Sequence, residues 1–269
     1  MTAQPLTSKD NPLLKSIRLV SSGARRAPKQ LVIAEGLRVL EEVQRSAFEV
    51  EAVVCSEPFG SLPREAALLH RFDERHTRLY RVSEALYQSI STVETPQGVL
   101  GLVNVPETHF ASIPAESQNP LILCACGLQD PGNLGTLIRT AAAANASLLC
   151  TTSGTVSARN PKSIRSSAGA FFRIPIIEHI DIPELRSYCS IHAIRLYRTD
   201  VQEGVSYTEA ELRSPCAILL GNEGSGLTAQ STSDLPAIRI PIAGGVESLN
   251  VATAGAILLF EAKRQRELP

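Results

Sequence analysis

Apolar residues along this chain follow two rhythms. Short continuous runs of strand length alternate with stretches such as GLRVLEEVQRSA at 36–47, where Leu37, Leu40 and Val43 recur at the spacing of one helix face. The pattern predicts strands over 31–34, 52–55, 79–82 and 99–105, with helices over 36–47, 64–71 and 83–91. PETHFASIPAESQNP, residues 106–120, carries three prolines and no sustained periodicity, so it reads as a linker. The alternation then restarts with the apolar run LILCAC at 121–126 and a helix over 133–145. Strands over 147–151 and 174–177, a helix over 183–190, and strands over 193–197, 217–220 and 237–240 follow. A long helix over about 248–265 closes the chain. Continuous apolar strands separated by helices predict an α/β fold with a parallel sheet covered on both faces. Ligands on such sheets bind outside the carboxyl ends of strands, which directs attention to the loops after 126, 220 and 242.

Length and composition narrow this further. With 269 residues, 43% hydrophobic and 20% charged, the chain has the make-up of a globular protein large enough for one big domain or two modest ones. The reading is a basic N-terminal arm over 1–30 with room for a short helix, a small α/β domain over 31–105, the linker 106–120 and a second α/β domain over 121–269. No stretch approaches the roughly 18 apolar residues needed to span a bilayer, and MTAQPLTSKDNPLLK lacks the apolar run of a secretory leader, so a cytoplasmic location without membrane contact is expected. Cys55, Cys124, Cys126, Cys150 and Cys216 sit in or beside apolar runs and read as buried thiols. The Cys124–Cys126 pair has no second pair or nearby His to complete a zinc set, and no metal is expected.

The formal net charge is −1, so no global positive excess marks a nucleic-acid partner. Distribution is more informative. Residues 9–29 hold Lys9, Lys15, Arg18, Arg25, Arg26 and Lys29 against Asp10 alone, and residues 159–173 hold Arg159, Lys162, Arg165 and Arg173 with no acid. Each run is a solvated face or a phosphate-contacting one. Aromatic residues are only 4% with no Trp, which argues against a broad base-stacking platform.

Three loops carry the candidate chemistry. After LILCAC, Asp130-Pro131-Gly132 forms a turn, Asn133 is a candidate helix cap, and Arg139 follows on the same helix. After CAILL comes GNEGSGL, residues 221–227, whose glycines permit close ligand approach. Its G-x-x-G-x-G order differs from the dinucleotide fingerprint G-x-G-x-x-G and counts against a nucleotide-dependent oxidoreductase. After IRIPI comes AGGVESLNVA, where Ser248 or Asn250 begins the final helix and Ser248 is a candidate cap.

N-x-G-x-x-x-R at 133–139, G-N-E-G-S-G-L at 221–227 and I-P-I-x-G-x-V-E-S-L-N-V-A at 240–252 occur in this order, each at a strand-to-loop junction. Together they resemble the three signature motifs of the SpoU (TrmH-type) RNA ribose 2'-O-methyltransferases of the SPOUT superfamily, with Ile242 where a methionine is frequent. QLVIAEGLRVLEEV and VSEALYQSISTVETPQGVLGLV are similar to that family's substrate-binding domain, itself like certain ribosomal RNA-binding proteins.

The resemblance implies a C-terminal trefoil-knot domain, a homodimer and S-adenosylmethionine as cofactor. It places the cofactor against Leu220, Gly221, Asn222, Gly224, Ile240, Ile242, Ser248 and Leu249. Arg139 becomes the principal catalytic residue, with Asn133, Glu223, Ser248 and Asn250 at the remaining polar motif positions. Asn133 and Asn250 would orient Arg139 or the ribose, Ser248 would cap the last helix and Glu223 would order the glycine loop. Arg25, Arg26, Arg159, Lys162 and Arg165 become candidate RNA contacts. The substrate implied is structured RNA, 23S ribosomal RNA first and tRNA as the alternative. A non-catalytic RNA-binding protein of the same fold is the reading from another class.

Overall fold

The computed structural model describes residues 3–24, 26–113, 119–221 and 232–267. The chain divides into two compact units, Met1–Glu107 with Arg159–Arg173, and Thr108–Ala158 with Ile174–Pro269.

The first unit contains β1 (Gln4–Pro5), α1 (Pro12–Ser21), β2 (Leu31–Glu35), α2 (Leu37–Arg45), β3 (Glu49–Ser56), α3 (Pro63–Glu74), β4 (Leu79–Val82), α4 (Glu84–Gln88) and β5 (Val99–Asn104). Its sheet runs β1-β4-β3-β5-β2, with β1 and β3 parallel to β4 and with β5 antiparallel to both β2 and β3. The stretch expected as a basic arm holds α1, capped by Asn11, whose side chain accepts from the Leu13 amide, and opened by Pro12. Leu14, Ile17 and Val20 recur every three residues on one face and are buried with Ile33, Val54, Leu100 and Leu102. Apolar spacing outweighs the surrounding basic residues, so this segment is part of a core.

The second unit contains β6 (Leu121–Ala125), α5 (Pro131–Ala143), β7 (Leu148–Thr152), β8 (Ile176–Ile180), α7 (Ile182–Ile191), β9 (Arg195–Thr199), β10 (Val205–Ser206), β11 (Cys216–Leu220), β12 (Ala237–Arg239) and α8 (Val251–Glu267); α6 (Pro161–Ser166) lies in the first unit. The strands form one seven-stranded sheet, β10-β12-β9-β11-β6-β7-β8, in which every neighbouring pair is parallel. That is the sheet expected of fully apolar strands, and β6 and β11 are buried at every position. The α/β class with a parallel sheet and a smaller N-terminal α/β domain stands as read from the sequence.

All six cysteines are free and buried, and Cys124, Cys126, Cys150 and Cys189 share the core of the second unit with Ile122, Ile177 and Leu185. The Cys124 and Cys126 sulfurs lie 3.8 Å apart. Burial and mutual repulsion between neighbouring thiolates raise the pKa of Cys150 well above that of a free thiol.

Candidate active site

Strands β12, β9 and β11 are adjacent and parallel, so their carboxyl ends and the loops leaving them lie side by side. A cavity of about 290 Å³ opens there. Leu220 and Gly221 leave β11, Ile240 and Ile242 follow β12, and Ser248 and Leu249 precede α8; all six line the cavity. They are all the nominated cofactor positions within the described residues; Asn222 and Gly224 lie outside them, as does Glu223.

The inner turns of α8 complete the wall through Val251, Ala254 and Leu258. With Leu259 fully buried as well, the apolar side of this helix belongs to its own unit, while Phe260 is exposed. Gly255 sits where α8 meets α5: a Cβ there would overlap Leu137 of α5 and lie 2.8 Å from Leu220 Cδ1. A glycine at this position lets the helix approach the cavity wall.

Helix caps differ from the expectation at both motifs. Asp130, not Asn133, caps α5: its carboxylate accepts from the Asn133 amide at 2.8 Å, and Pro131 occupies the first turn. Asn250, not Ser248, caps α8, its Oδ1 accepting from the amides of Ala252 at 3.0 Å and Thr253 at 3.2 Å. In each case the capping group is the one immediately ahead of the first helical residue. Asn133 is thereby released for another contact: Asn250 Nδ2 donates to Asn133 Oδ1 at 3.1 Å. The third motif is therefore tied directly to the first, on the helix that carries Arg139. Arg139 is exposed, six residues beyond Asn133, or about 9 Å along the axis.

Of the lining residues not nominated as cofactor positions from the sequence, Thr199, Asp200 and Val201 lie at the end of β9. No motif marks them, and only the rule that ligands gather at strand carboxyl ends would have found them. Thr199 Oγ1 donates to the Leu219 carbonyl at 2.9 Å, which fixes β9 to β11 beside the cavity. Burial works to raise the Asp200 pKa, but the Glu203 and Gln202 amides and the Arg198 guanidinium outweigh it and hold the carboxyl below its usual value.

The family model described as SpoU rRNA Methylase matches residues 120–260. The chain belongs to the SpoU rRNA methylase family. A second model, the MRM3-like substrate binding domain, matches residues 11–101 and so includes α1. The 23S rRNA (guanosine(2553)-2'-O)-methyltransferase RlmP of Bacillus subtilis is 30% identical over 260 residues, covering 96% of this chain and 98% of that protein. Among solved structures, an AdoMet-bound rRNA methyltransferase from Sinorhizobium meliloti superposes with a TM-score of 0.85 at 27% identity, over 99% of each chain. A structure titled RNA 2'-O ribose methyltransferase gives 0.79 at 32% identity, over 98% of this chain and 100% of that one.

Against this SpoU background the basic candidates divide. Arg159, Lys162 and Arg165 lie in the segment that packs with the first unit. Arg159 donates to the carbonyls of Val105 at 2.7 Å, Pro106 at 3.1 Å and Lys29 at 3.3 Å, which makes it an anchor of that segment. Arg165 donates to Thr92 Oγ1 at 3.3 Å. Lys162 and Arg26 have exposed side chains, and Arg25 lies outside the described residues. Among the described residues no group of three or more His, Cys, Asp or Glu could hold a metal ion.

Proposed function

We propose that this SpoU family member transfers a methyl group from S-adenosylmethionine to a ribose 2'-hydroxyl of RNA, with 23S ribosomal RNA as the substrate. The observation that carries this reading is the coincidence of two independent facts. The six nominated cofactor positions within the described residues line one cavity, and the Asn250–Asn133 hydrogen bond links the start of α8 beside it to the helix of Arg139. The residues present suit the cofactor. Leu220, Ile238, Ile240 and Leu249 give an apolar wall for an adenine ring, Gly221 leaves its backbone open to close approach, and Thr199, Asp200 and Ser248 supply polar edges. Support for ribosomal RNA comes from the 2'-O-methyltransferase relative that acts on 23S rRNA and from the substrate-binding match over the first unit.

When bound, the cofactor supplies a methyl already activated by its positive sulfur. What remains for the protein is alignment and stabilisation of the attacking oxygen. A guanidinium keeps its proton near neutral pH and is a poor base. Arg139 therefore grips the phosphate beside the target ribose and stabilises the negative charge developing on its 2'-oxygen, while the hydroxyl proton leaves to phosphate or water. Asn133, held by Asn250, fixes the first turn of the helix that carries Arg139. Ser248 forms part of the cavity rim. Arg25, Arg26 and Lys162 contact RNA phosphates.

The same reading makes the chain a cytoplasmic homodimer whose second half carries the family's trefoil knot. The exposed Phe260 on α8 suits packing against a second copy. Mapping 2'-O-methyl groups in total RNA from cells with and without this gene tests the function. Loss of a single ribosomal site is the expected result, loss of a tRNA site would redirect the substrate, and an unchanged map would refute the proposal.

A further inference from the structure

Among the described residues that line the cavity, Asp200 alone is ionic; the others are apolar, glycine or hydroxyl-bearing. Its carboxylate is held firmly. Oδ1 accepts from the amides of Gln202 at 2.9 Å and Glu203 at 3.0 Å, Oδ2 pairs with Arg198, and the Asp200 amide donates to the Ile238 carbonyl at 3.0 Å. Arg198 does not line the cavity and also pairs with Glu203 Oε2 at 2.6 Å. One guanidinium between two carboxylates leaves this cluster with one negative charge in excess, and Asp200 is the member of it that lines the cavity.

We infer that Asp200 makes the cavity favour a positively charged methyl donor over its uncharged demethylated product. The inference rests on the reading that S-adenosylmethionine occupies this cavity. The donor carries a sulfonium and an ammonium against one carboxylate, a net positive charge. After methyl transfer the sulfur keeps the electron pair of the broken carbon–sulfur bond, and the product has no net charge. A fixed negative charge beside an apolar wall distinguishes two ligands that otherwise share their adenosine and amino-acid parts, because Coulomb attraction is less screened there than in open water. The donor is retained and the spent product is released without a conformational step.

Calorimetry on the full chain tests this, using S-adenosylmethionine and S-adenosylhomocysteine as separate titrants. Asp200→Asn keeps the Oδ1 acceptor for the Gln202 and Glu203 amides and removes the charge together with the Oδ2 acceptor that pairs with Arg198. The dissociation constant of the methyl donor is expected to rise about five- to tenfold, while that of the product changes less than about twofold. Glu203→Gln removes a charge from the cluster outside the cavity and is expected to shift the preference in the same direction by less. Equal weakening of both ligands in Asp200→Asn would assign the carboxylate to loop shape or to a shared hydroxyl and overturn the inference; unchanged affinities for both would do the same. Failure of the unaltered chain to bind either ligand would instead overturn the cofactor reading, and the inference with it.

Discussion

Asn250 performs two tasks with one amide. Its oxygen satisfies the first free amides of α8, and its nitrogen donates to Asn133. The tasks are separable by side-chain length. Serine caps a helix nearly as well as asparagine but is too short to reach Asn133, so Asn250→Ser should unfold within about 0.5 kcal/mol of the parent in urea while losing turnover. Asn250→Ala removes the cap as well and should cost about 1 kcal/mol more. Equal turnover in the serine variant would show that the tie to Asn133 has no catalytic role. Arg139 poses a question of shape as much as charge. Lysine preserves the positive charge but not the planar fork that binds phosphate oxygens in pairs. Arg139→Lys should lower turnover by roughly a hundredfold, the order of losing one oxyanion donor, with S-adenosylmethionine affinity unchanged by calorimetry. A fully active lysine variant would remove the proposed role.

At the level of elements, the cavity depends on how closely α8 lies against α5 and the end of β11. Gly255 permits that approach. Gly255→Ala gains about 1 kcal/mol of helix propensity but drives a methyl into Leu137 and against Leu220, an overpacking cost of about 1–3 kcal/mol. The variant should unfold at lower urea concentration and bind S-adenosylmethionine more weakly, because Leu220 is part of the wall. Elements with strong periodicity were legible from the chain alone. α2 spans Leu37–Arg45 within the predicted 36–47, and β6 and β11 match their apolar runs to within a residue. What local pattern does not carry is the partner each element chooses. The segment Arg159–Arg173 follows β7 in sequence yet packs with the first unit, through the paired Arg173 and Glu42 and through Gly169, which has a φ of +86° and leaves no room for a Cβ against Glu42. A run of positive charge with no acid in the sequence is thus partly a packing device. Asp200 escaped notice for a related reason. Its importance comes from β9 lying between β12 and β11, an order set by the sheet and not by the residues beside it.

For the whole molecule, the division of labour follows from two separate cores. The first unit builds its core from α1 and a mixed sheet and matches a substrate-binding domain. The second builds a parallel sheet whose strand ends hold the cavity and whose family match names a methylase. No helix among the described residues is long and apolar enough to cross a membrane, and each of the six cysteines is a buried free thiol. Chemistry at a ribose hydroxyl leaves a trace that chemistry at a base does not: a 2'-O-methyl group blocks alkaline cleavage of the adjacent phosphodiester. The decisive measurement is therefore incubation of the purified chain with S-adenosylmethionine carrying a labelled methyl and with 23S ribosomal RNA, followed by complete alkaline hydrolysis. Label recovered in alkali-resistant dinucleotides is the result this account predicts. Label confined to mononucleotides, or absent from the RNA, would contradict it.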